Sequence, residues 1–419
     1  MMELAFGLGL GAFVAGSAVE GNSGYPGPMT PERLVQSSGH LVESAKHFSD
    51  GLGLAQDEGT RGYFSSTTFV LCFMTRMHTL PEFVPSEHFG EGGLRPCTTI
   101  DKYDFDVMNP VAKQMLAPVD WFTYAAEPFV LLLFWGDLGA ARRGFDKVLD
   151  AHKRMLHRVQ QGETAPEAYG YEVYVATAFL ISTLLIADER ETLRDYVANS
   201  IFGHLLNDEV AKVTLTSFYQ VPYCTWKSDD GHCHSTLDTY WLVVRGVMAL
   251  LEEDTEESRA ALRAWLPPAA ELLRVAEYEA NWRAGAFGAQ HPALLCARLQ
   301  GERFGDWAVA AELAEGVLAI ESFQPLLRIE AQRLLGCARY ALGERQAACT
   351  AAEEARAEVV GAKYVWLEMK ALRDLLLWCE EGEAKGVRSR LREVAGRTAE
   401  SSAGELARVL GEGAPPGPP

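Results

Sequence analysis

The stretch "LLGCARYALGERQAACTAAEEA", residues 334–355, carries a Leu-Gly pair, a corner at Gly343 and Glu344, and then alanines at helical intervals. Glycine commonly follows the last turn of a helix, where the chain needs a left-handed backbone that costs glycine little. An acid next to it faces the exposed amides that open a following helix. The stretch therefore reads as two helices folded back on each other at Gly343. Whether it stands alone or repeats decides the fold.

Similar corners occur elsewhere. "LFWGDLGAARRGFDKVL" has Gly136-Asp137, "ERFGDWAVAAELAEGVL" has Gly305-Asp306, and "CEEGEAKGVRSRL" has Gly382-Glu383. The corners at Gly305, Gly343 and Gly382 are 38 and 39 residues apart. Five residues on from each glycine stand Ala141, Ala310, Ala348 and Val387. Nine on stand Phe145, Ala314, Ala352 and Leu391, and twelve on Val148, Val317, Ala355 and Val394. These positions share one face of a helix, and small residues there let a second helix come close. A single hairpin cannot bury that face alone, so neighbours must stack.

Leu335-Gly336 in the first helix, Gly343 at the turn, and Ala348 and Ala355 in the second resemble a tetratricopeptide-type (TPR-like) repeat, over residues 290–397 and again at 125–150. The spacing is longer than the repeat's usual length of about 34 residues. The resemblance implies an all-α protein of antiparallel helical hairpins stacked as a right-handed α-solenoid, and a non-catalytic scaffold or adaptor that binds a peptide or helix of another protein.

Outside the hairpins the chain is also helical in pattern. "EESRAALRAWLPPAAELLRVAEYEANW" reads as two helices broken at Pro267-Pro268. Residues 1–120 read as an irregular N-terminal helical part with a long Pro/Gly-rich loop at 80–120. Residues 121–400 read as the hairpin region, and 401–419 as a disordered Pro/Gly-rich tail. Residues 1–20 hold a glycine-diluted apolar run with Glu3 and no basic start, a poor fit to a targeting segment. The run at 173–187 is too short to span a bilayer and reads as a buried helix.

Formal net charge is -19, which argues against nucleic acid as a partner because phosphate binding needs clustered Lys and Arg. The 8 cysteines show no disulfide rhythm. Cys72, Cys296, Cys337, Cys349 and Cys379 sit in apolar helical patterns, so a cytoplasmic or other reducing intracellular compartment is expected.

Candidate functional residues cluster at 217–244. Tyr219, Tyr223, Trp226, Tyr240 and Trp241 offer aromatic surface for a partner. Cys224, His232, Cys233 and His234 are zinc-type ligands, although three of them are consecutive, unlike the usual spacing. They support a rival reading, an all-α enzyme or metal-binding protein with its site at 217–240, Asp230 included. The plainer reading of this stretch is a connector that turns at Asp229-Asp230-Gly231. A third class is a peripheral partner of a membrane complex, docking through residues 173–187. No cofactor other than zinc is suggested.

Overall fold

The computed structural model describes residues 128–163 (apart from 130, 134 and 135), 180–200, 246–280, 291–320, 325–362, 364–379 and 381–395. It also describes scattered positions between 40 and 56 and the backbone at 226–227 and 233–234. The expectations for residues 1–20, the loop at 80–120 and the tail at 401–419 lie outside these residues. The chain divides into two compact units, Met1–Val130 with Phe323–Pro325, and Leu131–Ser322 with Leu326–Pro419. In the first, Ser44 and Phe48 are buried on a helical segment.

The second unit is all-α. Its helices are α1 Leu138–Gln160, α2 Ser182–Ala187, α3 Arg190–Asn199, α4 Glu256–Trp265, α5 Ala269–Ala280, α6 Pro292–Phe304, α7 Trp307–Ala319, α8 Pro325–Ala341, α9 Arg345–Ala362, α10 Val365–Trp378 and α11 Glu381–Ala395. Two short strands, β1 Trp226–Lys227 and β2 Cys233–His234, form one antiparallel ladder with Trp226 opposite His234. That ladder was not expected from the sequence. Two residues per strand give too short a run for alternation to register.

Local chemistry sets the helix ends. Thr255 and Ser258 cap α4 reciprocally, each side chain accepting the other's backbone N–H at 3.1 Å. Pro267-Pro268 then separate α4 from α5, with Leu266 extended before them. Gly136, Gly305 and Gly343 all have left-handed backbones, with φ of 66°, 68° and 82°. At Gly343 the amide bonds back to Tyr340 O and the Glu344 amide to Arg339 O, which satisfies carbonyls left over at the end of α8. Asp137 and Asp306 accept the amides of Ala140 and Val309 at 2.8 and 3.2 Å and so cap α1 and α7. Glu344, one methylene longer, instead takes Arg339 at 2.6 Å across its corner.

Gly382 is a correction. It lies inside α11, and the break falls at Cys379, whose extended backbone (φ -85°, ψ 167°) ends α10 without any glycine. Even so, Val387, Leu391 and Val394 are buried, as are the other nine residues of the expected face. The break sits three residues early, close to one helical turn, so the same face points inward.

The cysteines are a second correction. Cys349 of α9 and Cys379 form a disulfide with Cα atoms 5.1 Å apart. The pair runs against the reading of Cys349 and Cys379 as unpaired residues of apolar helices, and with it against the argument for a reducing compartment. Closing a loop of 30 residues stabilises the fold by about 3–4 kcal/mol in the chain-entropy account. Cys296 and Cys337 are free.

Within two stretches of the chain, consecutive helices pack on one another. α5 packs on α6 and α7, α6 on α7, α9 on α10, and α10 on α11. Leu272 of α5, Ala297 of α6, Ala310 and Val317 of α7, and Leu327 and Ala338 of α8 share one buried cluster. Small residues set the spacing: a Cβ on Gly336 of α8 would lie 2.4 Å from the Trp378 ring at the end of α10. Of the apolar run at 173–187, Leu180 to Ile186 lie among the described residues and are buried within the chain. Those side chains are not available to a membrane surface. No helix among the described residues is long and apolar enough to cross a membrane.

Nothing lies within 4 Å of a Cβ built on Gly343, so a substitution there tests the backbone alone. Gly343→Val is expected to cost about 1–2 kcal/mol in urea unfolding, and Gly343→Asn much less, since Asn tolerates the left-handed region. Equal midpoints for Val, Asn and wild type would place the corner elsewhere.

Candidate functional site

Polar residues inside an apolar helix pattern are the places to look for function. On α8, Glu330, Arg333 and Cys337 follow one another by three and four residues and so share a face. On α10 two steps of four residues link Trp366, Lys370 and Asp374, with Arg373 beside them, and α6 contributes Arg298 and Glu302. In the fold these faces meet. Glu330, Lys370 and Asp374 are buried, an unusual state for charged side chains that requires partners.

The partners form a connected seam. Arg333 donates Nε to Asp374 Oδ2 at 2.9 Å and Nη1 to Glu330 Oε1 at 3.2 Å. Arg298 stands 3.6 Å from Glu330 and Arg373 3.2 Å from Asp374. The corner between α2 and α3 joins them. Lys370 Nζ lies 3.0 Å from Asp188 Oδ2 and also donates to the Ile186 carbonyl, which takes the Trp366 indole N–H at 3.3 Å. Arg190 donates to Glu302 at 2.8 Å, and Arg142 of α1 to Glu189 at 2.8 Å.

The electrostatics follow from burial. Desolvation works to raise the Asp188 carboxyl, but Lys370, Arg298 and Arg373 outweigh it and hold it well below the usual carboxylate range. Burial pulls Lys370 down, against the attraction of Asp188. The Asp188 side chain keeps 48% of its surface open and Lys370 only 10%, so the acid reaches solvent while the lysine is enclosed. Solvent at the acid screens the pair and limits its strength.

Charge and hydrogen bonding are what the seam offers a ligand. Burial first, and Asp374 second, push the Cys337 thiol up to about 11, so it stays protonated at neutral pH and is a poor nucleophile. Burial alone pushes Cys296 up to about 12.

The sequence candidates fall elsewhere. Tyr219, Tyr223, Tyr240, Trp241, Cys224, Asp230 and His232 lie outside the described residues, and Trp226, Cys233 and His234 are described in backbone only. The ladder brings the backbone of 226–227 beside 233–234. Among the described residues, no three His, Cys, Asp or Glu side chains converge so as to hold a metal. The seam was missed because i,i+3 and i,i+4 charge pairs ordinarily mark a solvated face. The available signal was that Glu330 and Asp374 sit between residues the apolar period turns inward.

Two histidines are buried beyond the seam. His291 caps α6 by accepting the Ala293 amide on Nδ1 at 3.3 Å, and His152 meets the Tyr196 hydroxyl at 3.0 Å. Burial pushes both down to about 3. Each folded-state value lies below the unfolded value of about 6.5, so the stability they contribute is whole above pH 6.5 and is lost as pH falls toward 3. Urea unfolding at pH 5 is expected to show about 2 kcal/mol less stability per histidine than at pH 7. His291→Asn, which keeps a capping group, should shrink that difference, and an unchanged stability between the two pH values would contradict the assignment.

The chain matches no protein-family model, no curated protein and no solved structure.

Proposed function

We propose that this chain is a non-catalytic interaction scaffold, built as a right-handed TPR-like solenoid, that binds a helix or peptide of a partner protein. The observation that supports this most is the order of packing. Helices α5 to α7, and α9 to α11, touch their neighbours in sequence, around faces that include small residues set at fixed distances from Gly305 and Gly343. Quasi-linear stacking of this kind yields extended surfaces suited to grooved recognition of peptides. The first helices of successive hairpins, α6, α8 and α10, carry the polar seam, and such a surface selects a ligand by charge and hydrogen bonding.

A second reading draws on the β1–β2 ladder. Pairing of 226–227 with 233–234 puts the backbone of Cys233 and His234 on one arm of a two-stranded ladder, and Cys224 and His232 stand close by in sequence, which supports a zinc-type reading. Partner recognition through Tyr219, Tyr223, Trp226, Tyr240 and Trp241 is compatible with either reading.

One experiment separates them. A displayed peptide library passed over the immobilised full chain should yield peptides that bind one-to-one by calorimetry. Metal analysis of the same protein should find no zinc that depends on Cys233 and His234. Failure to retain any peptide, together with stoichiometric zinc lost on His234→Ala, would favour the metal-binding reading instead.

A further inference from the structure

The corner between α2 and α3 is unlike the others. Where a described corner uses a left-handed residue, it is elsewhere a glycine (Gly136, Gly162, Gly305 or Gly343), whereas here it is Asp188, with φ of 60°. Among the described residues it is the single non-glycine with positive φ. Glycine would adopt that backbone more readily, so a side chain kept there against a local preference calls for a reason in its contacts. Its carboxylate pairs with Lys370 at 3.0 Å, with Arg298 and Arg373 also drawing on its charge. Glu330 and Asp374 make their direct ion pairs with Arg298, Arg333 and Arg373.

We propose that the face of α10 bearing Trp366, Lys370 and Arg373, with Arg298 of α6, is a recognition surface for a helix end that carries a carboxylate, and that the chain's own Ile186–Glu189 corner holds it closed as an internal ligand. The inference rests on the scaffold reading and gives its partner a chemistry.

The α10 face reads two features of the corner. One is a terminal helix carbonyl, Ile186 O, which takes both the Trp366 N–H and the Lys370 ammonium. Free carbonyls carrying partial negative charge are present at every helix C-terminus. The other is a single acid at the left-handed position. Neither feature is peculiar to this chain, so a partner helix ending in an acidic residue presents the same pattern. The Asp188 carboxylate is the solvent-accessible part of the closing contact, where screening weakens it, while the bonds to the Ile186 carbonyl are buried. A ligand competing with an internal occupant binds with an affinity reduced by the fraction of time the surface is closed. Removing the occupant's carboxylate therefore raises apparent affinity.

The test uses full-length wild type, Asp188→Gly, and Asp188→Gly with Lys370→Met, all checked for helix content by circular dichroism. The probe is a fluorescein-labelled peptide of residues 180–189, "LISTLLIADE", read by fluorescence anisotropy. Asp188→Gly is expected to bind it at least tenfold tighter than wild type, and Lys370→Met to abolish that gain. Equal affinity for wild type and Asp188→Gly, or a gain that survives Lys370→Met, overturns the proposal. If Asp188→Gly fails to fold, Asp188→Asn, which tolerates the left-handed backbone, carries the same comparison. Library peptides that bind wild type without regard to residues 188 and 370 would leave the scaffold reading standing while ending this one. Loss of all peptide binding, library and probe alike, ends both.

Discussion

Two helices can approach closely only where the side chains between them are small, and each close approach must be fixed by a corner that returns the chain. The second unit of this protein depends on that constraint. Ala310, Ala314, Ala348, Ala352 and Ala355 are all buried, and Gly336 receives a tryptophan ring where a methyl group would collide. Tight packing of small side chains draws its stability from many weak contacts over a well-fitted surface. Fixed corners preserve the fit by holding the register from one helix to the next.

The corners were largely legible in the sequence, because a left-handed backbone is a demand that few residues meet. Gly305 and Gly343 could be placed from their neighbours alone, and Pro267-Pro268 marked the break between α4 and α5 for an equally local reason. Gly382 was misplaced because the chain leaves α10 in an extended conformation at Cys379, which asks nothing of glycine. The buried face of α11 could still be read, since an error near one helical turn leaves periodicity intact. The Asp188 corner was missed for the opposite reason: a left-handed residue was sought only among glycines.

Contacts distant along the chain were not legible. Cys349 and Cys379 are separated by 30 residues with no spacing signature, and only the folding of α9 onto α10 brings their sulfurs together. The seam behaves likewise. Glu330, Arg333, Lys370 and Asp374 each look like members of a solvated charged face, and they become interior only where α8 and α10 meet beside the α2–α3 corner. Buried ion networks of this kind add little net stability over apolar packing, but they penalise misregistered pairings heavily. Their place on α8 and α10 is therefore compatible with fixing which helices associate as well as with recognition of a ligand. The aromatic and Cys/His stretch at 217–244, prominent in the sequence, lies mostly outside the described residues.

The central claim is that close helix approach through small side chains holds the hairpins together, and α9 contains its own control. Ala352 is fully buried, whereas Ala347 on the same helix is exposed. Unfolding free energies of Ala352→Leu and Ala347→Leu, measured side by side in urea, isolate packing from helix propensity, which is common to both. The account predicts a loss of about 1–3 kcal/mol at position 352 and almost none at 347. Equal stability of the two variants would contradict it.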